Sequence, residues 1–164
     1  MKTKITHFTN SPVNRNKIIE SGRVELEGHN VLTKSPETLT PEEKEAKHSI
    51  ELSARIMGGY RFVWLTEEDS CGTTYSTSED AFAFPFYAED IKATKWTDFR
   101  KRLLGKKDSR ELVVYLEKLA TDKGDDWKKW WVTTKPIPLT DCIQLPPEWS
   151  PDISPLQRLI EDSE

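Results

Sequence analysis

The chain has 164 residues, of which 32% are charged, and its formal net charge at pH 7 is −4. This length predicts one domain that buries well over half of the surface its unfolded chain exposes. No apolar stretch approaches the roughly 20 residues of a membrane-spanning helix, and the negative net charge argues against binding duplex nucleic acid through the overall field. The first residues lack a secretory signal pattern. We therefore expect a soluble, cytoplasmic protein that does not enter a membrane and whose nucleic-acid contacts, where they exist, are local.

The cysteines and histidines show no metal-binding pattern. Cys71 and Cys142 lie far apart in the chain, and His7, His29 and His48 are not paired at metal-ligand spacing. Such isolated residues favour reduced thiols over a disulfide framework, and no metal is expected.

The first strand candidate is Lys4–Thr9, and a short helix follows it at Pro12–Ser21. Ser11 before Pro12 is typical of a helix N-cap followed by proline at the first helical position, and Gly22 supplies the stop. From Arg23 to Leu39 little periodicity is present, which predicts a loop with a short edge strand.

A capping box opens the second helix. Thr40 and Glu43 stand three residues apart, so that each side chain can bond the amide of the other, and the helix is expected to run to about Met57. The apolar run Tyr60–Thr66 then predicts a buried strand. After it, the polar segment Glu67–Asp80 has no period, and a connection of this length is more often functional than filler, here as a cover for a pocket.

The second half of the chain alternates strand and helix patterns. Pro85 demotes its strand to an edge or marks a bulge, and Trp96 and Phe99 are expected to face inward from their helix. The predicted elements are a strand at Ala81–Phe86, helices at Ala93–Leu104 and Ser109–Thr121, and strands at Trp130–Thr133 and Cys142–Leu145. We expect a single compact α+β domain over residues 1–145, with a proline-rich, acidic tail over residues 146–164 packed on it.

The triplet His7-Phe8-Thr9 is the main candidate for a binding site. Residues two apart on a strand share a face, so the His7 imidazole and the Thr9 hydroxyl can both hydrogen-bond a diol such as a ribose, while Phe8 points into the core. The alternative is a structural histidine near a sheet edge, which on the triplet alone is favoured.

A second candidate combines cations with aromatic rings. The segment Asp126–Trp131 contains three tryptophans around Lys128 and Lys129, a combination that can stack bases and screen phosphates of a single strand. The alternative, again favoured, is that Trp130 or Trp131 enters the core while both lysines remain solvated.

At four places the chain resembles the ADP-ribosyltransferase-like group that includes DarT-type enzymes and RNA 2'-phosphotransferases, in particular its small bacterial and phage proteins. A strand ends in His7-Phe8-Thr9; a helix carrying Ile18-Ile19 ends at Gly22; a second strand reads Val63–Thr66; and Trp130–Pro138 is similar to the closing strand and proline turn. The resemblance implies a split mixed sheet with flanking helices.

The same resemblance implies roles for particular residues. His7 and Thr9 would hold the adenine-side ribose of NAD, which is bound as a substrate, and Thr66 matches the hydroxyl of the second strand. Tyr60 or Tyr75 would stack on nicotinamide. Two further aromatic residues on the strands, Phe8 and Trp64, complete the candidate substrate-binding set.

The glutamate of that family has no clean match in this chain. Gln144 stands on the late strand instead and, with His7, is the candidate for catalysis; a glutamine can bond a hydroxyl, but it does not stabilise a developing oxocarbenium ion as a carboxylate does. Glu67 and Glu68, next to the second strand, are substitutes, although acidic residues that open a polar loop are usually solvated.

Two functions follow, which leave open whether the protein is an enzyme. The first is a glycosyltransferase reaction in which ADP-ribose passes from NAD to a macromolecular acceptor, either a protein or a single-stranded nucleic acid. The alternative, favoured by the missing glutamate, is an inactive interaction or inhibitor protein of the same fold. RNA 2'-phosphate transfer is a weaker third, because the basic residues that hold phosphates are not evident on the matching strands.

Overall fold

The structure is a computed structural model, and it describes residues 1–9, 12–68, 82–147 and 149. The strands, in chain order, are β1 (Lys4–Thr9), β2 (Arg23–Val24), β3 (Val63–Thr66), β4 (Phe82–Tyr87), β5 (Thr94–Lys95), β6 (Trp130–Thr133) and β7 (Ile137–Pro138). The helices are α1 (Pro12–Ser21), α2 (His29–Leu32), α3 (Pro41–Ile56), α4 (Trp96–Phe99) and α5 (Lys107–Asp122). Short 3₁₀ turns lie at Pro36–Thr38, Arg100–Arg102, Trp127–Lys129 and Leu139–Asp141.

Five of the strands form one sheet in the order β4-β1-β3-β6-β5, and β2 pairs with β7 beside it. Every recorded pairing between these strands is antiparallel. The helices flank the sheet, which confirms a single compact α+β domain. No helix within the described ranges is long and apolar enough to cross a bilayer.

Each face of the sheet carries its own hydrophobic cluster, because side chains alternate between the faces along a strand. One face packs under α1 and the β2-β7 pair, and its fully or nearly buried members are Ile5, Val63, Leu65, Phe84, Phe86 and Trp131, with Ile18, Val24 and Ile137 above them. The opposite face packs against α3, α4 and α5, and its members are Met57, Phe62, Trp96, Phe99, Val113 and Val132.

Several sequence predictions are confirmed by these elements. Both hydrogen bonds of the capping box are present at 3.1 Å, from the Glu43 amide to Thr40 Oγ1 and from the Thr40 amide to Glu43 Oε1. Pro85 lies on β4, which is an edge strand, where a missing backbone N–H breaks no ladder hydrogen bond. The predicted strand Trp130–Thr133 is β6.

The helix expected over Ala93–Leu104 is wrong in its first part. Thr94 and Lys95 pair with Val132 and Trp131 as an added edge strand, so their backbone groups serve the sheet. The helix therefore begins only at Trp96 and, after a single turn, tightens into a 3₁₀ turn.

The strand expected over Cys142–Leu145 is also wrong. Only an isolated bridge joins Cys142 to Phe86, and the late strand is instead Ile137–Pro138. That strand pairs with β2, and the amide of Leu139, which follows it, donates a hydrogen bond of 2.9 Å to the carbonyl of Gly22, which lies between α1 and β2. The chain at Pro138, where the sequence predicted a turn, is therefore part of a strand.

The region Arg23–Leu39 contains more structure than expected, since α2 and a 3₁₀ turn accompany the predicted short strand. The strand expected over Tyr60–Thr66 is shorter and begins at Val63. Most of the polar segment Glu67–Asp80, and all of the tail beyond residue 149, lie outside the described residues.

Candidate functional site

A cavity of about 1050 Å³ lies where β1 and β3 separate. The two strands are joined by a single register pair, Thr6 with Thr66, whereas β1 and β4 are paired along all six residues of β1. Consecutive residues of both strands, Thr6–Thr9 and Phe62–Thr66, line the cavity. Because neighbouring residues of a strand point to opposite faces, a cavity that touches all of them lies in the gap between the strands. The remaining walls come from α1, from the chain between β2 and residue 34, and from four further residues, which are Glu43, Glu68, Asp125 and Trp130.

His7 spans the gap between the two strands. Its Nδ1 lies 2.9 Å from the backbone carbonyl oxygen of Trp64, and a carbonyl can only accept, so Nδ1 carries the proton. Burial lowers the pKa of His7, against the opposing effect of this hydrogen bond, and the ring is therefore neutral at pH 7. Neutral Nε2 then has its lone pair available as an acceptor on a residue that lines the cavity.

Two threonines complete this part of the wall. Thr9 is only 8% exposed, and its hydroxyl has no hydrogen-bond partner among the described residues. A buried hydroxyl without a partner costs about 1–3 kcal/mol, so a ligand hydroxyl that bonds Thr9 would recover that energy. Thr66 is used differently, since its Oγ1 accepts the Glu68 amide at 3.1 Å and fixes the turn that follows β3.

The two adjacent glutamates after β3, Glu67 and Glu68, have different surroundings. Glu67 accepts the indole N–H of Trp131 at 2.7 Å and is thereby tied to β6. Glu68 lines the cavity. Burial raises the pKa of Glu68, and the nearby charges of Asp125 and Asp126 add to the effect while Lys129 opposes it.

Sequence reasoning missed the five other carboxylates that line the cavity, and Glu27 and Asp125 are two of them. Glu27 Oε2 accepts the indole N–H of Trp64 at 3.0 Å, and burial raises the pKa of this carboxyl. Asp125 is 9% exposed. No local sequence pattern marks these carboxylates, because their burial depends on parts of the chain that are distant in sequence.

The structure brings some of the predicted site residues together and separates others. His7, Phe8, Thr9, Trp64 and Thr66 all line the cavity.

Two of the predicted residues that the structure describes, Tyr60 and Gln144, do not line that cavity. The exposed ring of Tyr60 packs edge-on against Phe99 at 5.0 Å. Gln144 lines a separate groove of about 300 Å³ beside β4. Tyr75 lies outside the described residues.

The segment Asp126–Trp131 is mostly occupied with packing. Trp131 is 8% exposed and Trp130 stacks edge-to-face on Trp64 at 5.5 Å, while Trp127 lies under the Arg100 guanidinium at 5.0 Å. Lys128 and Lys129 are exposed. The arrangement is that of the packing alternative, in which the rings are internal and the lysines solvated.

Among residues 1–9, 12–68, 82–147 and 149, no group of three or more His, Cys, Asp or Glu side chains is arranged to hold a metal ion. Cys142 is a buried free thiol, and Cys71 lies outside the described residues.

Comparison of this chain with models of known protein families, with curated proteins and with solved structures found no match.

The lowered pKa of His7 gives a pH dependence with a defined sign. The unfolded chain binds this proton more tightly than the folded one, so stability falls as the pH drops below the ordinary histidine range, by at most about 1.4 kcal/mol per pH unit for one group. We expect a His7→Gln variant to lose less stability than the wild type between neutral and mildly acidic pH in urea titrations. A His48→Gln variant, changed at an exposed histidine of α3, should show the same dependence of stability on pH as the wild type. If His7→Gln also showed the wild-type dependence, the lowered pKa could not belong to His7.

Proposed function

We propose that this protein binds NAD in the cavity between β1 and β3 and transfers ADP-ribose from it to a macromolecular acceptor. The observation that carries the proposal is the gap itself, because the neutral His7 ring and the Thr9 hydroxyl, for which the described residues offer no hydrogen-bond partner, line one cavity. Its volume of about 1050 Å³ lies just above the roughly 300–1,000 Å³ typical of small-molecule sites, which suits a ligand as large as a dinucleotide.

His7 and Thr9 would hold a ribose diol. The acceptor Nε2 of the neutral imidazole can take a hydrogen bond from one hydroxyl, and the Thr9 hydroxyl can donate to or accept from the other. The hydrogen bond from Nδ1 to the Trp64 carbonyl fixes the tautomer and ring orientation, so the acceptor is positioned before the ligand arrives. Lys17 from α1 supplies positive charge to the same cavity, which suits the pyrophosphate.

The reaction would break the bond between the nicotinamide nitrogen and ribose C1, with the electron pair leaving on nicotinamide. An acceptor nucleophile would bond C1 and lose a proton. Positive charge develops on the ribose in this step, and Glu68 is the carboxylate of the Glu67–Glu68 pair that lines the cavity and can stabilise it. Gln144 lines a different groove from His7 and has no part in this mechanism.

We expect His7→Ala to weaken NAD binding about tenfold or more, with a stability loss of about 1 kcal/mol from the hydrogen bond to Trp64. Calorimetric titration with NAD measures the affinity and urea unfolding the stability. The matched control is His48→Ala, at an exposed position outside the cavity wall, which should change neither.

A Thr9→Val variant separates binding from folding in the same experiment. Valine keeps the β-branched shape on β1 and removes a buried hydroxyl that has no partner among the described residues, so the protein should be as stable or more so, while NAD binds more weakly. Equal NAD affinity in the wild type and both variants would contradict the ribose-binding role of this wall.

The alternative function is an inactive interaction or inhibitor protein of this fold. The separation of Gln144 from His7 favours it, because the two residues predicted for catalysis are not assembled. Folded wild-type protein that does not bind NAD would establish this alternative as the better proposal.

A further inference from the structure

The part of the sheet formed by β1 and β4 has one face that joins neither hydrophobic cluster of the described residues. Side chains alternate along a strand, so Lys4, Thr6 and Phe8 share this face, and the register places Pro85 of β4 opposite Thr6. Ile5, which points the other way, belongs to the cluster under α1. The cluster of the opposite face, under α3, α4 and α5, contains no residue of β1 or β4.

A groove of about 300 Å³ lies on this face, and residues 144–147 form its far wall. That wall is held at both ends. The Ile143 amide donates to the Pro85 carbonyl at 2.8 Å, and the Trp149 amide donates to the Pro146 carbonyl at 3.1 Å. The Trp149 side chain packs on the cluster under α1. The groove is therefore a cleft between β4 and a segment of chain that is fixed beside it.

Thr6 lies on the floor of the groove between Lys4 and Phe8. Its side chain is 7% exposed, and nowhere in the described part of the chain does its hydroxyl find a hydrogen-bond partner. Thr66, its register partner on β3, bonds the Glu68 amide instead. Buried hydroxyls are ordinarily bonded, so a ligand atom in the groove would satisfy Thr6.

The polar groups of the groove are suited to a negative charge. Lys4 is exposed at one end and forms no ion pair, and the described lining residues include no carboxylate. Gln144 adds an exposed side-chain amide, which can donate as well as accept. Arg15 also lines the groove, but it already has interaction partners, including the Phe82 ring at 5.3 Å, and the argument does not depend on it.

The other end of the groove is apolar. Phe8 is half-buried there, and the residue opposite it on β4 is Ala83, whose small side chain leaves space beside the ring. Leu145 and Pro146 face this space from the far wall. Four residues of a strand separate Lys4 from Phe8, a span of about 13 Å, which accommodates one ring and a short chain.

From these observations we propose that the groove binds a small organic acid, with its carboxylate between Lys4 and Thr6 and its ring on Phe8. The site does not depend on the proposed function. One lysine and one hydroxyl suit the single charge of a carboxylate better than the nearly two charges of a phosphate monoester. The volume, about 300 Å³, is at the lower end of small-molecule sites and fits a ligand with one ring.

The test uses 3-phenylpropionate as the probe and 3-phenylpropionamide as its neutral counterpart, in the absence of NAD. The readout is the backbone amide resonance of Thr6 and the side-chain amide resonances of Gln144 in nitrogen-correlated spectra. We expect saturable shifts with the acid, much weaker binding of the amide, and weaker binding of the acid at high salt. Equal binding of the acid and the amide by the wild type would overturn the site.

Two variants test the groups that hold the carboxylate. Thr6→Val keeps the β-branched shape and should bind the acid about tenfold more weakly, and Lys4→Gln about fivefold more weakly. The control is Lys101→Gln, at an exposed lysine outside the groove, which should bind the acid as the wild type does. Lys4 is exposed, so its variant keeps the fold; equal affinity in Lys4→Gln and Lys101→Gln would contradict the proposed carboxylate position.

His7 distinguishes the groove from the cavity between β1 and β3. Its side chain points to the face opposite to that of Thr6, and it does not line the groove. His7→Ala should therefore leave the affinity for the acid unchanged, and a loss of acid binding in this variant would place the ligand in the cavity and overturn the proposal. NAD binding with no acid binding removes only this inference, and acid binding with no NAD binding removes only the proposed function.

Two further probes test the class of ligand. Phenyl phosphate carries the same ring with a phosphate, and an acetylated dipeptide ending in phenylalanine carries the same ring beside a peptide carboxylate. Both should bind more weakly than 3-phenylpropionate. Tighter binding of phenyl phosphate would overturn the preference for a carboxylate, and tighter binding of the dipeptide would assign the groove to a protein C-terminus instead of a small acid.

Discussion

Replacement of Glu117 by alanine should destabilise the fold by about 3–5 kcal/mol, which is the cost of leaving a buried charged network without one partner. The Glu117 carboxylate accepts three hydrogen bonds, from Trp96 Nε1 at 2.8 Å and from Arg100 Nε and Nη2 at 2.7 and 2.8 Å. The Glu117 side chain is 7% exposed and the Arg100 side chain is 24% exposed, so little water is present to take the place of the lost carboxylate.

This network also supports the cavity. It joins α5 to α4, and the Arg100 guanidinium lies over Trp127 in the turn between Asp125 and Trp130. Loss of the Glu117 carboxylate leaves the Arg100 guanidinium without its partner. The turn that positions Asp125 and Trp130 in the cavity wall is then less firmly held. We therefore expect weaker NAD binding in Glu117→Ala at temperatures where the variant is still folded.

Urea unfolding measures the loss of stability in Glu117→Ala, and Glu111→Ala is its control. Glu111 lies on the same helix, and its ion pair with Lys107 is exposed and long, at 3.9 Å. That control should cost less than about 0.5 kcal/mol, apart from small helix-propensity effects. A loss below about 1 kcal/mol in Glu117→Ala would show that the network is not formed as described.

The second large effect is expected at Gly28, in the cavity wall between β2 and α2. Its φ is +77°, and a Cβ built there lies 2.7 Å from Ile50 Cγ2 and 2.8 Å from Cδ1. Cγ2 is attached directly to the Cβ of a β-branched residue on α3, so it cannot swing aside freely. Gly28→Ala should therefore cost about 1–2 kcal/mol from the backbone conformation and about 1–3 kcal/mol more from the clash.

Gly59→Ala is the matched control for that prediction. Gly59 has a similar φ of +88°, but a Cβ there meets no atom within 4 Å. The difference in unfolding free energy between the two variants isolates the contact with Ile50. Adding Ile50→Ala to Gly28→Ala should recover about 1–3 kcal/mol of unfolding free energy relative to the sum of the two single variants. Additive losses of stability would mean that a Cβ at position 28 does not clash with Ile50.

Sequence patterns located the strands and helices whose signals are local. The Thr40–Glu43 capping box fixes the start of α3 through contacts three residues apart, and the apolar stripe of α5 needs only its own periodicity. The separation of His7 and Thr9 by two residues likewise placed both on one strand and on one cavity wall.

The errors arose where distant parts of the chain compete for the same backbone groups. Thr94 and Lys95 read as the start of a helix, but they pair with β6, whose position depends on β3. Cys142–Leu145 read as a strand, yet the β2-β7 pair takes the late-strand role, and Gln144 is left beside β4 rather than near His7. No local propensity contains this information.

The sequence by itself determined the α+β class, the capped helix α3 and the grouping of His7 with Thr9, because each depends on residues that are neighbours in the chain. Only the tertiary structure decided that β1 and β3 part beside His7, that Glu68 rather than Glu67 lines the gap, and that Glu27, Asp125 and Trp130 join it. The physical reason is that burial and charge at the cavity are set by side chains brought together from five separate parts of the chain, and their mutual distances are fixed only when the sheet is packed.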